Sequence, residues 1–289
     1  PYTVFTPYSK KWRKRLEDKG IPSYPSENNL QYLLNFTEEI PSLESMGFTS
    51  RELTFPENTA ENQVLKEYYE RRNFPSVKGT TRLGIHLRFG TISIRQLLKQ
   101  SEDTTSFTFT SELIWRDFYA QILSHFPHVA ERAFRPAYDE IAWRNSEEDF
   151  DKWCRGETGY SLVDAGMKEL LATGFMHNRV RMLVASFLTK HLLIDWRWGE
   201  AWFARHLLDF DLASNNGGWQ WASGSGTDAA PYFRIFNPIT QADKFDKDGK
   251  YRDQFNPGWR EGSTPMMVDH KVARERALTT YKARLSIKE

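Results

Sequence analysis

"FDLASNNGGWQWASGSGTDAAPYFRIFNP", Phe210 to Pro238, sets two carboxylates, four glycines and two tryptophans in a stretch too polar for a core and too aromatic for a linker. The fold turns on its middle, "GSGTDA", Gly224 to Ala229, which matches the dinucleotide fingerprint G-x-G-x-x-A. That fingerprint needs a strand before it and a helix after it to hold a pyrophosphate. Neither flank complies. "GWQWAS" is not a run of β-branched residues, and Pro231 falls where the helix would need its first turns. The α/β reading is set aside.

Outward from there the periodicity is helical. "ENQVLKEYYERR" carries Val64, Leu65, Tyr68 and Tyr69 at three-and-four spacing, "TISIRQLLKQ" opens on a threonine N-cap, and "SELIWRDFYAQILSHF" has a wide apolar stripe. Further helices are predicted over Leu162 to Thr173, Asn178 to Ile194, Glu200 to Leu208 and the charged segment Val272 to Leu285. No stretch alternates strongly enough to build a sheet. The fold class is therefore all-α, with long loops at Phe74 to Thr81 and after Asp209. Pro22, Pro25, Pro41 and Pro56 break residues 1–60 into an arm of short helices, leaving 61–289 as the main helical domain.

The 289 residues allow one large domain or two ordinary ones. Ten Trp and twenty Phe suit a bulky core or a flat site for a flat ligand. A net charge of +1 does not by itself point to nucleic acid, so any basic surface must be local. A single cysteine, Cys154, excludes an internal disulfide and a Cys-rich metal site and fits a reducing compartment, so the cytoplasm is expected. No apolar run is long enough to span a membrane. His177, His191 and His206 lack a ligand spacing, so no metal is expected.

Several constellations could bind a ligand. "FPSVKGTTRLG", Phe74 to Gly84, puts a lysine and two hydroxyls ahead of Arg82, donors for a diphosphate or merely a turn with a threonine cap. Glu112, Trp115, Arg116 and Tyr119 fall at i, i+3, i+4 and i+7, one helix face bearing a carboxylate, an indole, a guanidinium and a phenol. A Glu112–Arg116 pair inside a core is the alternative. In "MHNRVRMLVASFL", Asn178, Arg181 and Met182 share a face while Arg179 points elsewhere. Asp209 and Asp211 are the candidate partners for a buried arginine.

Together "ELIWRDFY", "GFMHNRVRM", "LLIDWRWGE", the opening stretch and "QADKFD" resemble the C-terminal flavin domain of the DNA photolyase and cryptochrome family, over roughly residues 60–285. Within it the nearest type is the class I cyclobutane pyrimidine dimer enzymes. "VFTPYSKKW" is similar to the end of the connector that follows the family's N-terminal α/β antenna domain, where an antenna chromophore would lie. The resemblance implies a helical domain holding bent FAD. Tyr68 and the segment Thr80, Thr81, Arg82, Leu83 and Gly84 would hold its diphosphate and ribityl region; Asn178, Arg181, Asp209, Phe210, Asp211 and Asn215 would surround the flavin. Relatives often have serine at Gly84, so a hydroxyl contact available to them is missing here.

The resemblance further implies a partner, UV-damaged DNA, and an expected monomer. Glu112, Trp115, Arg116, Met182 and Trp221 would line the site of a flipped-out dimer, with Arg179, Arg234 and Gln241 on the DNA backbone. Trp219, Trp196 and Trp143 would relay electrons to the flavin. The implied activity is a photo-lyase: electron transfer from photoexcited reduced FAD opens the cyclobutane ring. A cryptochrome-like photoreceptor is the rival. Asn215 at the flavin N5 position, where many cryptochromes have aspartate or cysteine, and the complete substrate set favour repair. If the backbone is extended there, Trp219 and Trp221 point in opposite directions, one into the protein and one into a cavity.

Overall fold

The computed structural model describes residues 1–34, 38–49, 54–262 and 264–285. Among these there is no strand, and the fold is all-α as predicted.

The arm opens with more order than its prolines suggest. Helix α1 (Phe5–Lys19) runs for 15 residues before Gly20, at φ +66°, ends it. Pro7 lies in its first turn, where an amide N–H has no intrahelical acceptor and is not missed. Short helices follow only later, beginning with the 3₁₀ segment Ser26–Tyr32. The single helix predicted over 61–72 is two pieces, α2 (Asn62–Lys66) and α3 (Tyr68–Arg71). The break at Glu67 buries Val64, Leu65 and Tyr68 but leaves Tyr69 in solvent.

Next come α4 (Gly84–Phe89), α5 (Ile94–Asp103) and α6 (Phe107–His125). The N-cap position of α5 is Ser93 rather than the threonine of the predicted start. Helix α6 begins four residues before the predicted Ser111, and its core stripe is Phe109, Leu113, Ile114, Phe118 and Ile122.

The central bundle is α7 (Glu147–Arg155), α8 (Ser161–Thr173), α9 (Asn178–Ser186), α10 (Trp196–His206) and α11 (Leu212–Ser223). Helix α9 passes directly into a π-helical turn, Phe187–His191, in which every residue is buried. The chain closes with α12 (Pro238–Phe245), α13 (Lys250–Phe255) and α14 (His270–Leu285).

Helix α11 corrects the long loop expected after Asp209. Asp211 is its N-cap, accepting the Ser214 N–H at 2.9 Å, and Gly224 at φ +90° stops it. Glycines inside a helix cost about 1 kcal/mol each relative to alanine, which is why Gly217 and Gly218 read as loop. Packing overrides that cost at Gly217, where a Cβ would lie 2.2 Å from the Tyr119 ring of α6. Gly199 does the same for α10, since a Cβ there would lie 2.1 Å from Trp219. The largest core cluster gathers Trp153, Trp196, Phe203 and Trp219 with aliphatic residues of α8, α9 and the π turn. Among the described residues no helix is long and apolar enough to cross a membrane.

Candidate flavin and substrate site

A cavity of about 410 Å³ opens between α6, α9 and α11, with α10 behind it. Two of the walls are predicted helix faces. Glu112, Trp115, Arg116 and Tyr119 line it from α6, and Asn178, Arg181 and Met182 from α9. Asp209, Phe210, Asp211, Asn215, Trp219 and Trp221 complete it. The two tryptophans diverge, but on a helix rather than an extended strand: two residues are about 200° apart at 3.6 per turn. Trp219 is accordingly buried against the core, and Trp221 stands half-buried at the cavity.

Charges in the walls are paired, Arg181 with the expected Asp209 and Glu112 with an arginine the spacing did not point to. The Arg181 guanidinium donates to both oxygens of Asp209, at 3.1 and 2.9 Å, while its Nε donates to the Met176 carbonyl at 2.6 Å. Glu112 pairs with Arg72 of the segment just after α3, not with Arg116 on its own helix. Arg116 instead reaches the Leu87 carbonyl at 3.4 Å. Burial pushes the Glu112 carboxyl above the usual range, and Arg72 works against that shift. The Asn215 amide nitrogen donates to the Glu200 carbonyl at 3.2 Å and side chain at 2.8 Å, which leaves its Oδ1 as the free acceptor.

His177, directly before α9, caps that helix by accepting the Arg179 N–H on Nδ1 at 3.1 Å. Burial, then the neighbouring Arg181, Arg179 and Arg82, depress its pKa to about 4, so it caps as the neutral imidazole. His191 meets His270 at 2.8 Å and His206 packs on Trp202 with ring centres 4.1 Å apart, structural roles for the histidines the sequence left without one. Among the described residues no three potential ligand side chains converge as a metal site would require.

Several predicted residues lie outside the cavity. Tyr68 and Leu83 are core residues, and Tyr68 packs edge-on against Phe109 while underlying Arg72. Thr80 and Thr81 are half-buried off the lining. Arg82, at φ +53°, stacks on Phe175 and reaches Glu169 at 3.8 Å. Gly84 backs onto Asp209: a Cβ would sit 2.8 Å from its Oδ2, so serine at this position would crowd the carboxylate. Arg179, Arg234 and Gln241 are also off the lining; Arg179 stacks on Phe245 and bonds Asn73. Trp219 meets Phe203 at 5.0 Å and Trp153 at 6.1 Å, whereas Trp196 lies against Arg197 and Trp143 against Tyr281.

The spacing missed Arg72, Ala185, Phe203, Leu207, Ser214 and Gly218 as lining residues. Only Gly218 carried a signal, a second adjacent glycine with no turn to make. Open space surrounds the position its Cβ would take.

Residues 109–265 match the family model described as the FAD binding domain of DNA photolyase. The chain belongs to the photolyase FAD-binding family. The deoxyribodipyrimidine photo-lyase of Halobacterium salinarum is 41% identical over 284 residues, covering 90% of this chain and 59% of that protein. A bacterial class III photolyase from Agrobacterium tumefaciens superposes with a TM-score of 0.72 at 42% identity, over 77% of this chain and 53% of its own. A Synechocystis cryptochrome superposes with a TM-score of 0.74 at 27% identity, over 96% of this chain and 68% of its own. The helical photolyase-type fold and the FAD cofactor expected from the sequence are those of this family. The chain spans little more than half the length of the first of these relatives.

Proposed function

We propose that this chain is the FAD- and DNA-binding part of a light-dependent enzyme that repairs cyclobutane pyrimidine dimers in UV-damaged DNA, by electron transfer from excited reduced FAD to a flipped-out dimer. The observation that carries the reading is the meeting, in one cavity, of the Glu112, Trp115, Met182 and Trp221 wall with the Asp209, Asp211 and Asn215 floor. The donor set fits a flavin. Asn215 has an acceptor left over for a ring N–H, and the open backbone at Gly218 admits a flat group. Arg181 fixes the Asp209 carboxylate, while Asp211 is already held by its capping bond. Bound and reduced, FAD supplies light-driven one-electron chemistry.

The chain supplies geometry and charge. Trp115 and Trp221 offer π faces to bases, and Glu112, held by Arg72, sets a carboxyl at the wall where a pyrimidine edge would meet it. Arg179 and the exposed Arg234 flank the site for phosphates. Tyr68 and Thr80 to Gly84, off the cavity lining, serve the diphosphate end. Gln241 joins the DNA side, and Trp219, Trp196 and Trp143 form the relay. The enzyme works as a cytoplasmic monomer, with residues 1–60 as connector and arm.

Blue light on the FAD-loaded chain with a dimer-containing oligonucleotide should restore the bases above the dark control; no restoration ends the repair reading. The Synechocystis likeness favours a photoreceptor as second reading, and photoreduction without repair would select it. Trp196→Phe should abolish photoreduction of bound FAD yet spare repair by chemically reduced protein; an unchanged photoreduction rate removes Trp196 from the relay.

A further inference from the structure

We infer that α1 is a positioning clamp for Trp115, with Phe5 setting the plane of the indole; this rests on the reading of Trp115 as part of the wall that receives a damaged base. Phe5 lies flat on Trp115, ring centres 3.7 Å apart and planes within 2°. Trp115 is half-buried and lines the cavity, so one face is backed by a ring while another side meets the ligand space.

Helix α1 lies on the surface of α6, where it can reach this contact. None of its residues is buried. Its half-buried Phe5 and Tyr8 pack against Phe118 and Ile122, and directed bonds fix its position there: the Tyr8 hydroxyl and the Trp12 Nε1–H both donate to Oδ2 of Asp117, at 2.6 and 3.0 Å, two residues past Trp115 on α6. On the other side the Phe5 N–H reaches Asp228 at 3.3 Å and the Thr227 hydroxyl donates to the Thr3 carbonyl, tying the same turn to the loop after α11, the helix of Trp221. The first turn of α1 thus bridges both indole-bearing walls.

An indole free to swing must be immobilised when a base stacks on it, and a parallel ring already against its far face removes part of that cost. Phe5 touches no ligand in this scheme. It acts through Trp115.

The test uses the FAD-loaded chain and compares affinity for a dimer-containing oligonucleotide with that for its undamaged counterpart. Phe5→Ala should weaken dimer binding about 2- to 10-fold, leave undamaged binding and FAD content unchanged, and be rescued by Phe5→Tyr, which keeps the stack. Added to Trp115→Ala it should cost nothing more. A dimer affinity equal to wild type, an equal loss for both DNAs, or a full additional loss in the Trp115→Ala background overturns the clamp. If Trp115→Ala itself leaves dimer binding intact, the wall reading falls and the clamp with it; if Trp115→Ala weakens binding and Phe5→Ala does not, the clamp falls alone. Should Phe5→Ala unfold, Tyr8→Phe with Trp12→Phe removes both anchors, and the same selective loss is expected.

Discussion

Trp153 and Trp221 are the same residue type in the same bundle, yet their surroundings differ in kind. Trp153 stacks on Phe150 and Phe203 with ring centres 5.7 and 6.2 Å apart, meets Trp219 edge-on, and donates its Nε1–H to the Val184 carbonyl at 3.2 Å. Every face and its one polar atom are accounted for, inside the core. Trp221, like Trp115, packs against the protein on one side and faces the cavity on the other. Covered faces, not composition, separate an indole that holds the fold from one that is available to a ligand.

That contrast is broken most directly by truncation. Trp153→Ala should cost about 3 to 5 kcal/mol in urea unfolding, while Trp221→Ala should cost clearly less. Equal losses would make the wall a second core.

His177 belongs to both regions, buried like the core yet capping the cavity helix α9. Its pKa falls from 6.5 to about 4 on folding, so the unfolded chain binds more protons between those values. Stability from this group is fully present above pH 6.5 and is lost as pH drops toward 4, by up to about 3 kcal/mol. His177→Asn keeps a capping side chain that does not titrate, so stability measured between pH 7 and 4 should fall less steeply than in the wild type. Parallel curves would discard the assignment.

Trp221→Ala should weaken binding to dimer-containing DNA by about 1 to 3 kcal/mol, and binding to undamaged DNA by less. Comparable losses for both would return Trp221 to the structural class. The finest separation is between adjacent glycines. Gly217→Ala must displace Tyr119 and should cost about 1 to 3 kcal/mol, whereas Gly218→Ala meets open space and should stabilise the apo chain by about 0.5 to 1 kcal/mol through helix propensity. Thermal unfolding of the two variants compares them. If both destabilise alike, the space at Gly218 is not free.

The faces of α6 and α9 were legible because a helix fixes which residues share a side: Glu112, Trp115, Arg116 and Tyr119 had to line one wall, and Arg181 had to part from Arg179. The absence of strand alternation likewise fixed the all-α class. Helix α11 was hidden because paired glycines suppress local propensity, and only contact with Tyr119 reveals why a side chain is forbidden at Gly217. Arg72 was hidden for a different reason. Its partner Glu112 lies on another helix, and charge pairing across a bundle leaves no periodic trace.

The sequence by itself determined the helices' faces and the indoles and carboxylates they carry, because periodicity and residue chemistry are local properties, and its motif blocks carried the resemblance to the family. Tertiary structure alone decided which indoles are sealed and which stay open, that Arg72 answers Glu112, and that Phe5 backs Trp115, because those depend on how distant segments approach one another.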